Sequence, residues 1–302
     1  MTTAFVLSGG ASLGSIQVGM LEALYERDIR PDLIVGTSAG ALNGAFIAER
    51  PQTVETALEL AEVWRGLKRR QVFPVNPLTG ALGFLGARSH LVPDSGLRRL
   101  IQRHATAERL EETYLPLHVI ATDVLRGEDV RLSEGPLVDA VMASAAIPGV
   151  LPAVDWDARA LIDGGVANNA PISHALELGA DEVYVLPTGS PCELHVPPRG
   201  ALAMLVYATS LLVGHRLAHE IATLGERADI SVLPPPCPLG VQPTDFDHAD
   251  LLIAQARADA RKFLDRRERR PGTAKPVTRV AGGIDRDRQR RGSRCRPSAS
   301  AR

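Results

Sequence analysis

DLIVGTSAGALNGAF, residues 32–46, is an apolar run of strand character, then Gly36-Thr37-Ser38-Ala39-Gly40, then small and apolar residues at helical spacing. A buried turn has no need of a serine between two glycines. A nucleophile does, and Gly-x-Ser-x-Gly between a strand and a helix is the pattern of a nucleophile elbow. The reason is steric: on so sharp a turn, side chains flanking the serine would strike the adjoining strand and helix. Glycine at 36 and 40 removes those clashes. The helix that follows presents free N–H groups and the positive end of its dipole to the serine, which favours developing negative charge. The pentapeptide by itself also fits a plain strand–helix turn, so the rest of the chain must supply the other parts.

Upstream, VLSGGASLG places Gly9, Gly10 and Gly14 between a first strand (4–7) and a first helix (14–27). Three readings are open. The backbone N–H groups of Gly10, Ala11 and Ser12 form an oxyanion hole, as acyl transfer requires because charge builds on the carbonyl oxygen. Alternatively the loop cradles a nucleotide, although Ala11 stands where G-x-G-x-x-G needs glycine and no G-K-S/T is present. Or it is a tight turn with no ligand.

A serine hydroxyl needs a base. Eight histidines, at 90, 104, 118, 174, 195, 215, 219 and 248, are candidates by residue type, and none stands at a glycine-rich strand end. His215 and His219 lie at helical spacing but lack a third metal ligand nearby. ALIDGGVANNAP (160–171) is more promising: a short apolar strand ends in Asp163, and Gly164 and Gly165 follow. An acid at a strand end falls on the same edge of a parallel sheet as the elbow, where such sites form. Its side chain must be partly desolvated, because a carboxylate of ordinary pKa, about 3.9, is a poor base at neutral pH. An Asp-Gly turn without chemistry is the plainer alternative.

Further strands are expected at 32–35, 117–124, 130–132, 160–162, 182–186 and 230–233, and helices at 39–49, 53–67, 95–104, 135–145, 171–178, 198–224 and 246–264. The alternation indicates βα units and a mostly parallel sheet. Residues 73–91, with two prolines and three glycines, read as an irregular insertion over a site. The expected folded body is 1–265. The segment 266–302 carries 13 basic and 3 acidic residues with few large apolar ones, and is expected to be a disordered basic tail.

Four segments in this order, SGGASLG at 8–14, GTSAG at 36–40, ASAAIPGVLPAV at 143–154 and DGG at 163–165, resemble the patatin-like phospholipase family, over roughly residues 4–190. The resemblance implies a three-layer α/β/α sandwich with a mostly parallel central sheet, and hydrolysis of acyl esters by a serine–aspartate dyad with no histidine. By it, Ser38 is the nucleophile, Asp163 the base, and Gly9, Gly10, Ala11, Ser12 and Gly14 the oxyanion loop. The elbow and DGG glycines are Gly36, Gly40, Gly164 and Gly165. The family's loop commonly reads G-G-G-x-R/K-G. Ala11 and Leu13 depart from it, and loss of the basic side chain puts a preference for anionic head groups in doubt. The amide at Ala11 survives the change if its φ is negative.

Composition sets the outer limits. The 302 residues are 45% hydrophobic and 23% charged with a net charge of −1, an ordinary globular balance without the basic body of a nucleic-acid binder. Cys192, Cys237 and Cys295, odd in number and far apart, suggest no disulfide framework and no metal site. The amino terminus lacks a signal-peptide pattern, and the longest apolar run, 201–213, is too short to span a bilayer. The expectation is a cytoplasmic protein, peripheral to membranes if it meets them, that acts on a lipid or acyl ester without cofactor or metal. Two rivals stand beside it: a Ser-His-Asp α/β-hydrolase completed by His248, and a non-catalytic interaction module on a lipase fold.

Overall fold

The computed structural model describes residues 1–74, 76–189, 200–237 and 241–269. Its centre is one sheet whose hydrogen-bonded path runs β5-β6-β3-β2-β1-β7-β8, with β4 also paired to β3. The strands are β1 (Thr3–Leu7), β2 (Leu33–Thr37), β3 (Leu117–Asp123), β4 (Asp129–Leu132), β5 (Val154–Trp156), β6 (Arg159–Asp163), β7 (Glu182–Leu186) and β8 (Asp229–Val232). Strands β3, β2, β1, β7 and β8 are mutually parallel, while β4, β5 and β6 are joined by antiparallel pairing. The central strands read as continuous apolar runs because both faces are covered.

Helices form the outer layers. On one face lie α1 (Ser15–Tyr25), α2 (Ala39–Ala48), α3 (Val54–Gly66), α7 (Leu137–Ser144) and α10 (Ala249–Glu268); on the other lie α8 (Ile172–Glu177) and α9 (Ala201–Leu224). Alternate residues of β1 serve the two sides: Phe5 and Leu7 pack with the first set, Ala4 and Val6 with the second. The three-layer α/β/α sandwich expected from the sequence is therefore what the chain forms.

The register around β3 matters most for the site. β2 pairs with residues 117–120 of β3, ending at Thr37 opposite Ile120. β6 pairs with residues 121–123, ending with Asp163 opposite Ala121. β4 pairs with residues 119–122 and so overlaps both. One strand edge can hold only one partner at a time, so β4 occupies one edge of β3 while β2 and β6 share the other. They approach each other head-on and stop at adjacent rungs. Asp163 therefore reaches Ser38 on an antiparallel strand running towards the elbow, not on the parallel strand expected from the sequence.

Several expectations need correction. The 73–91 insertion is not wholly irregular: α5 (Pro77–Phe84) begins with Pro77 after an Asn76 cap, whose side-chain oxygen accepts from Leu78 and Thr79 N–H, both at 3.1 Å. A short α4 (Arg69–Val72) precedes it, and α6 (Ser95–His104) follows. Helix α10 continues to Glu268, and Arg267 lies over the Tyr184 ring and pairs with Glu182 and Asp229. The expected boundary at 265 therefore falls inside a helix docked on the body, and the remaining tail, 270–302, lies outside the described residues. Cys237 is disulfide-bonded, contrary to the expectation of no disulfides. Cys192, Cys295 and His195 lie outside the described residues.

Candidate active site

Ser38 sits on the last corner before α2 with φ 53° and ψ −118°, a left-handed conformation that costs a non-glycine residue roughly 1–3 kcal/mol. The flanking glycines are required by contact. A Cβ on Gly40 would stand 2.1 Å from Leu7 O, and one on Gly36 would stand 2.7 Å from Gly40 O. The strained peptide is fastened from outside: Ser38 N–H donates to Ser144 Oγ at 2.8 Å, and that hydroxyl donates to Ile120 O at 2.6 Å. Ser144 lies in the 143–154 motif, but its role was not legible there.

Ser38 Oγ donates to Asp163 Oδ2 at 2.6 Å. Asp163 Oδ1 accepts from Gly165 N–H at 2.8 Å, which fixes the carboxyl plane. Gly164 permits the approach: a Cβ there would lie 2.1 Å from Ile120 O. Ser38 is 6% and Asp163 7% exposed. Burial pushes the Asp163 carboxyl up to about 6, against the pull of the hydrogen bonds from Ser38 and Gly165. A carboxyl so placed is ionised at neutral pH and is a stronger base than an exposed one.

The opening loop is narrower in its possibilities than its glycines suggest. Gly9 N–H donates to Asn169 O, and Ser12 N–H to Pro243 O. Gly14 lies in the 3₁₀ turn that leads into α1, packed against Trp64. Within residues 8–13 of the loop, the Gly10 and Ala11 amides are left without a hydrogen-bond acceptor. Ala11 has φ 50°, so it does not meet the negative-φ condition under which an alanine was expected to be harmless; it accepts the strain, and the amide is kept. The loop is held rigid from behind. Thr188 Oγ1 donates to Gly9 O at 2.5 Å, and Gln17 Nε2 donates to both Ser8 O and Leu186 O at 2.8 Å. Asn43 Nδ2 donates to Gln17 Oε1 and Gly14 O, and Trp64 Nε1 donates to Asn43 Oδ1. These buried polar groups are mutually satisfied, so they fix one loop geometry.

Ser38 and Ala11 open onto a narrow pocket of ≈ 80 Å³ lined by apolar side chains of α2, α3 and α6, among them Leu42, Phe46, Leu60 and Ile101. His104 is part of its wall; burial, with Arg103 and Arg50 nearby, lowers its pKa. Three other histidines are engaged elsewhere: His118 Nδ1 meets Ser133 Oγ, His174 Nε2 meets Asp129 Oδ2, and His248 Nδ1 meets Asp245 Oδ2 at 2.9 Å on the surface. The hydrogen-bond partner of the Ser38 hydroxyl is a carboxylate. No group of three His, Cys, Asp or Glu side chains among the described residues could hold a metal ion, and none of the described helices is long and apolar enough to cross a membrane.

Known proteins resemble this chain in sequence. The chain is 30% identical over 195 residues to patatin-like phospholipase domain-containing protein 7 of Mus musculus, a match covering 62% of this chain and 14% of that protein. To patatin-like phospholipase domain-containing protein 6 of Homo sapiens it is 31% identical over 201 residues, covering 66% and 14%. An uncharacterized NTE family protein of Mycobacterium bovis is 31% identical over 179 residues, covering 59% and 46%. The chain thus spans about a seventh of the length of its mammalian relatives. Among solved structures, VipD from Legionella pneumophila aligns over 88% of this chain and 67% of that one, with TM-score 0.47 and 14% identity. The family described as patatin-like phospholipase matches residues 5–176, more than half of the 302. On that match, the chain belongs to the patatin-like phospholipase family.

Proposed function

We propose that this chain is a lipid acyl hydrolase that cleaves carboxylic esters through an acyl-enzyme on Ser38, with Asp163 as its base. The observation that carries the reading is the 2.6 Å hydrogen bond from Ser38 Oγ to a buried carboxylate, at the mouth of an apolar pocket. The acyl chain lies in that pocket. Asp163 Oδ2 takes the hydroxyl proton as Oγ bonds to the ester carbon, and the Gly10 and Ala11 amides receive the developing oxyanion. Collapse breaks the bond to the alcohol, which leaves with the proton from Asp163. Water then gives a proton to the same carboxylate and attacks the acyl-enzyme, releasing the acid and restoring Ser38.

The test is hydrolysis of p-nitrophenyl esters and phospholipids, together with labelling by a fluorophosphonate. Ser38→Ala should lose both turnover and labelling while keeping its fold. Turnover surviving in that variant would refute the assignment, and a wild-type chain that neither labels nor hydrolyses would favour the non-catalytic reading.

A membrane surface as the place of action is supported by α5 and the turn after it, where Leu78, Phe84 and Leu85 are 70%, 88% and 77% exposed. Flotation with phosphatidylcholine liposomes should recover the wild-type chain and lose the variant with serine at all three positions. Equal recovery would leave this surface without that role.

A further inference from the structure

Behind the DGG turn lies a second cavity of ≈ 330 Å³, lined by Gly165, Asn168, Asn169, Arg216, Leu217 and Glu220 among others. Its wall adjoins the Ser38–Asp163 pair at Gly165. A Cβ on Gly165 would lie 2.8 Å from Asn169 Oδ1 and 3.0 Å from Asp163 Oδ1. A Cβ on Gly9 would lie 2.6 Å from the same Asn169 oxygen and 3.0 Å from Ser38 Cβ. Asn169 thus joins this cavity's rim to the Gly9 turn beside the nucleophile, while the apolar pocket opens from the Ala11 side.

The two cavities differ in chemistry. Two lining residues of the second carry a buried acceptor with no hydrogen-bond partner: Glu220 Oε2 and Asn168 Oδ1. Asn168 is oriented by its amide, which donates to Asp129 Oδ2 at 2.8 Å, so its oxygen is left over. The Glu220 side chain is only 11% exposed, and its nearest cation, Arg216 Nε, is 3.6 Å from Oε1 on a half-exposed side chain. Burial raises the Glu220 pKa; Arg216 and the Ile172 amide pull it down, and Asp129 adds to the rise. A buried carboxylate oxygen and a buried amide oxygen that each lack a donor are costly unless something supplies N–H groups and positive charge. Arg216, at the same wall, offers a guanidinium to an anion.

We infer that this cavity is the leaving-group subsite, and that it takes a phosphodiester bearing a primary ammonium: the phosphate on Arg216, the ammonium on Glu220 and Asn168. This rests on the acyl-hydrolase reading above. A quaternary ammonium satisfies the charge but has no N–H for the two orphaned oxygens, so an ethanolamine head group is preferred to choline, and choline to glycerol.

The experiment compares lysophospholipids of one acyl chain carrying ethanolamine, choline or glycerol head groups, with kcat/KM expressed per fluorophosphonate-titrated site. The ethanolamine-to-glycerol ratio should be about tenfold in the wild type, the scale of one charged hydrogen bond, and fall towards one in Glu220→Gln. A wild-type ratio near one, or a ratio unchanged by Glu220→Gln, overturns the inference. A second measurement needs no turnover and no change at 220: titration calorimetry of Ser38→Ala with glycerophosphoethanolamine should show saturable binding, with glycerophosphoglycerol at least about tenfold weaker. Equal binding of the two, or none of either, also overturns it. Residual ester hydrolysis by Ser38→Ala would instead strike the acyl-hydrolase reading, which the calorimetry does not depend on.

Discussion

Asp163→Asn should remove most turnover and, above pH 6, make the protein more stable. The wild-type carboxyl has a folded pKa of about 6 against an ordinary 3.8, chiefly because it is buried. Between those values the folded state holds a proton that the unfolded chain has released, so wild-type stability falls as pH rises through the window and levels off above it. At roughly 1.4 kcal/mol per unit, the ionised carboxylate costs the folded protein about 3 kcal/mol at pH 8. Asparagine does not ionise. It keeps an acceptor for Gly165 N–H, and its amide can donate to Ser38 Oγ in place of the bond that Asp163 accepted. The variant should therefore melt on the order of 5–10 °C higher than wild type at pH 8, with the gain vanishing near pH 4. Thermal melts of both proteins at several pH values between 4.5 and 8 measure this directly. Meanwhile wild-type kcat/KM should rise up to about pH 6 and then level, as expected for a base that must be ionised. An equal or lower melting temperature for the variant at pH 8, or a gain independent of pH, would refute the claim that burial of this carboxylate holds its pKa up. Near-wild-type turnover would refute its role as base.

Three further outcomes follow from contacts around the site. Ser144→Ala strips the buried Ser38 amide and Ile120 carbonyl of their shared partner; stability should fall by about 1–3 kcal/mol in urea melts, and kcat for a short ester should fall roughly tenfold as the elbow loosens. Gly40→Ala forces a Cβ to 2.1 Å from Leu7 O, backbone against backbone, and should cost at least about 3 kcal/mol, seen as loss of soluble protein or of the cooperative melt. Ala45→Leu places an isobutyl group into the apolar pocket; long p-nitrophenyl esters should lose about fourfold in kcat/KM for each methylene excluded, while the butyrate ester keeps most of its rate. An unshifted chain-length profile would show that acyl chains do not lie against Ala45.

The elbow, the acid and the order of the layers were legible because each depends on a local requirement that leaves a residue type behind. Gly36, Gly40 and Gly164 are glycine because backbone atoms approach where a Cβ would be, and Asp163 ends an apolar strand. The supporting residues were not legible. Ser144, Thr188, Gln17 and Asn43 act on backbone groups or side chains far away in sequence, and a lone serine or glutamine carries no spacing that points to such a partner. The loop showed more glycines than it has free amides, since Gly9 and Ser12 spend theirs on Asn169 and Pro243. The direction of β6 was missed for a similar reason: its five residues read alike in either orientation, and only pairing with β3 decides it. In α5, two glycines masked the helical pattern, although Asn76-Pro77 was a usable start signal.

The head-on meeting of β2 and β6 on one edge of β3 makes that strand a ruler for the chemistry. The adjacent rungs at residues 120 and 121 set how far the ends of β2 and β6, and so Ser38 and Asp163, stand apart along the sheet. Lids, pocket helices and surface insertions between Thr37 and Asp163 can lengthen, shrink or be exchanged without altering the reacting distance. One extra residue bulged between those two rungs would part the pair by about 3.3 Å, enough to silence the enzyme while leaving a protein that folds, sediments and scatters light like the original. Ester cleavage is therefore a finer gauge of sheet alignment in this chain than any bulk measure of its folding.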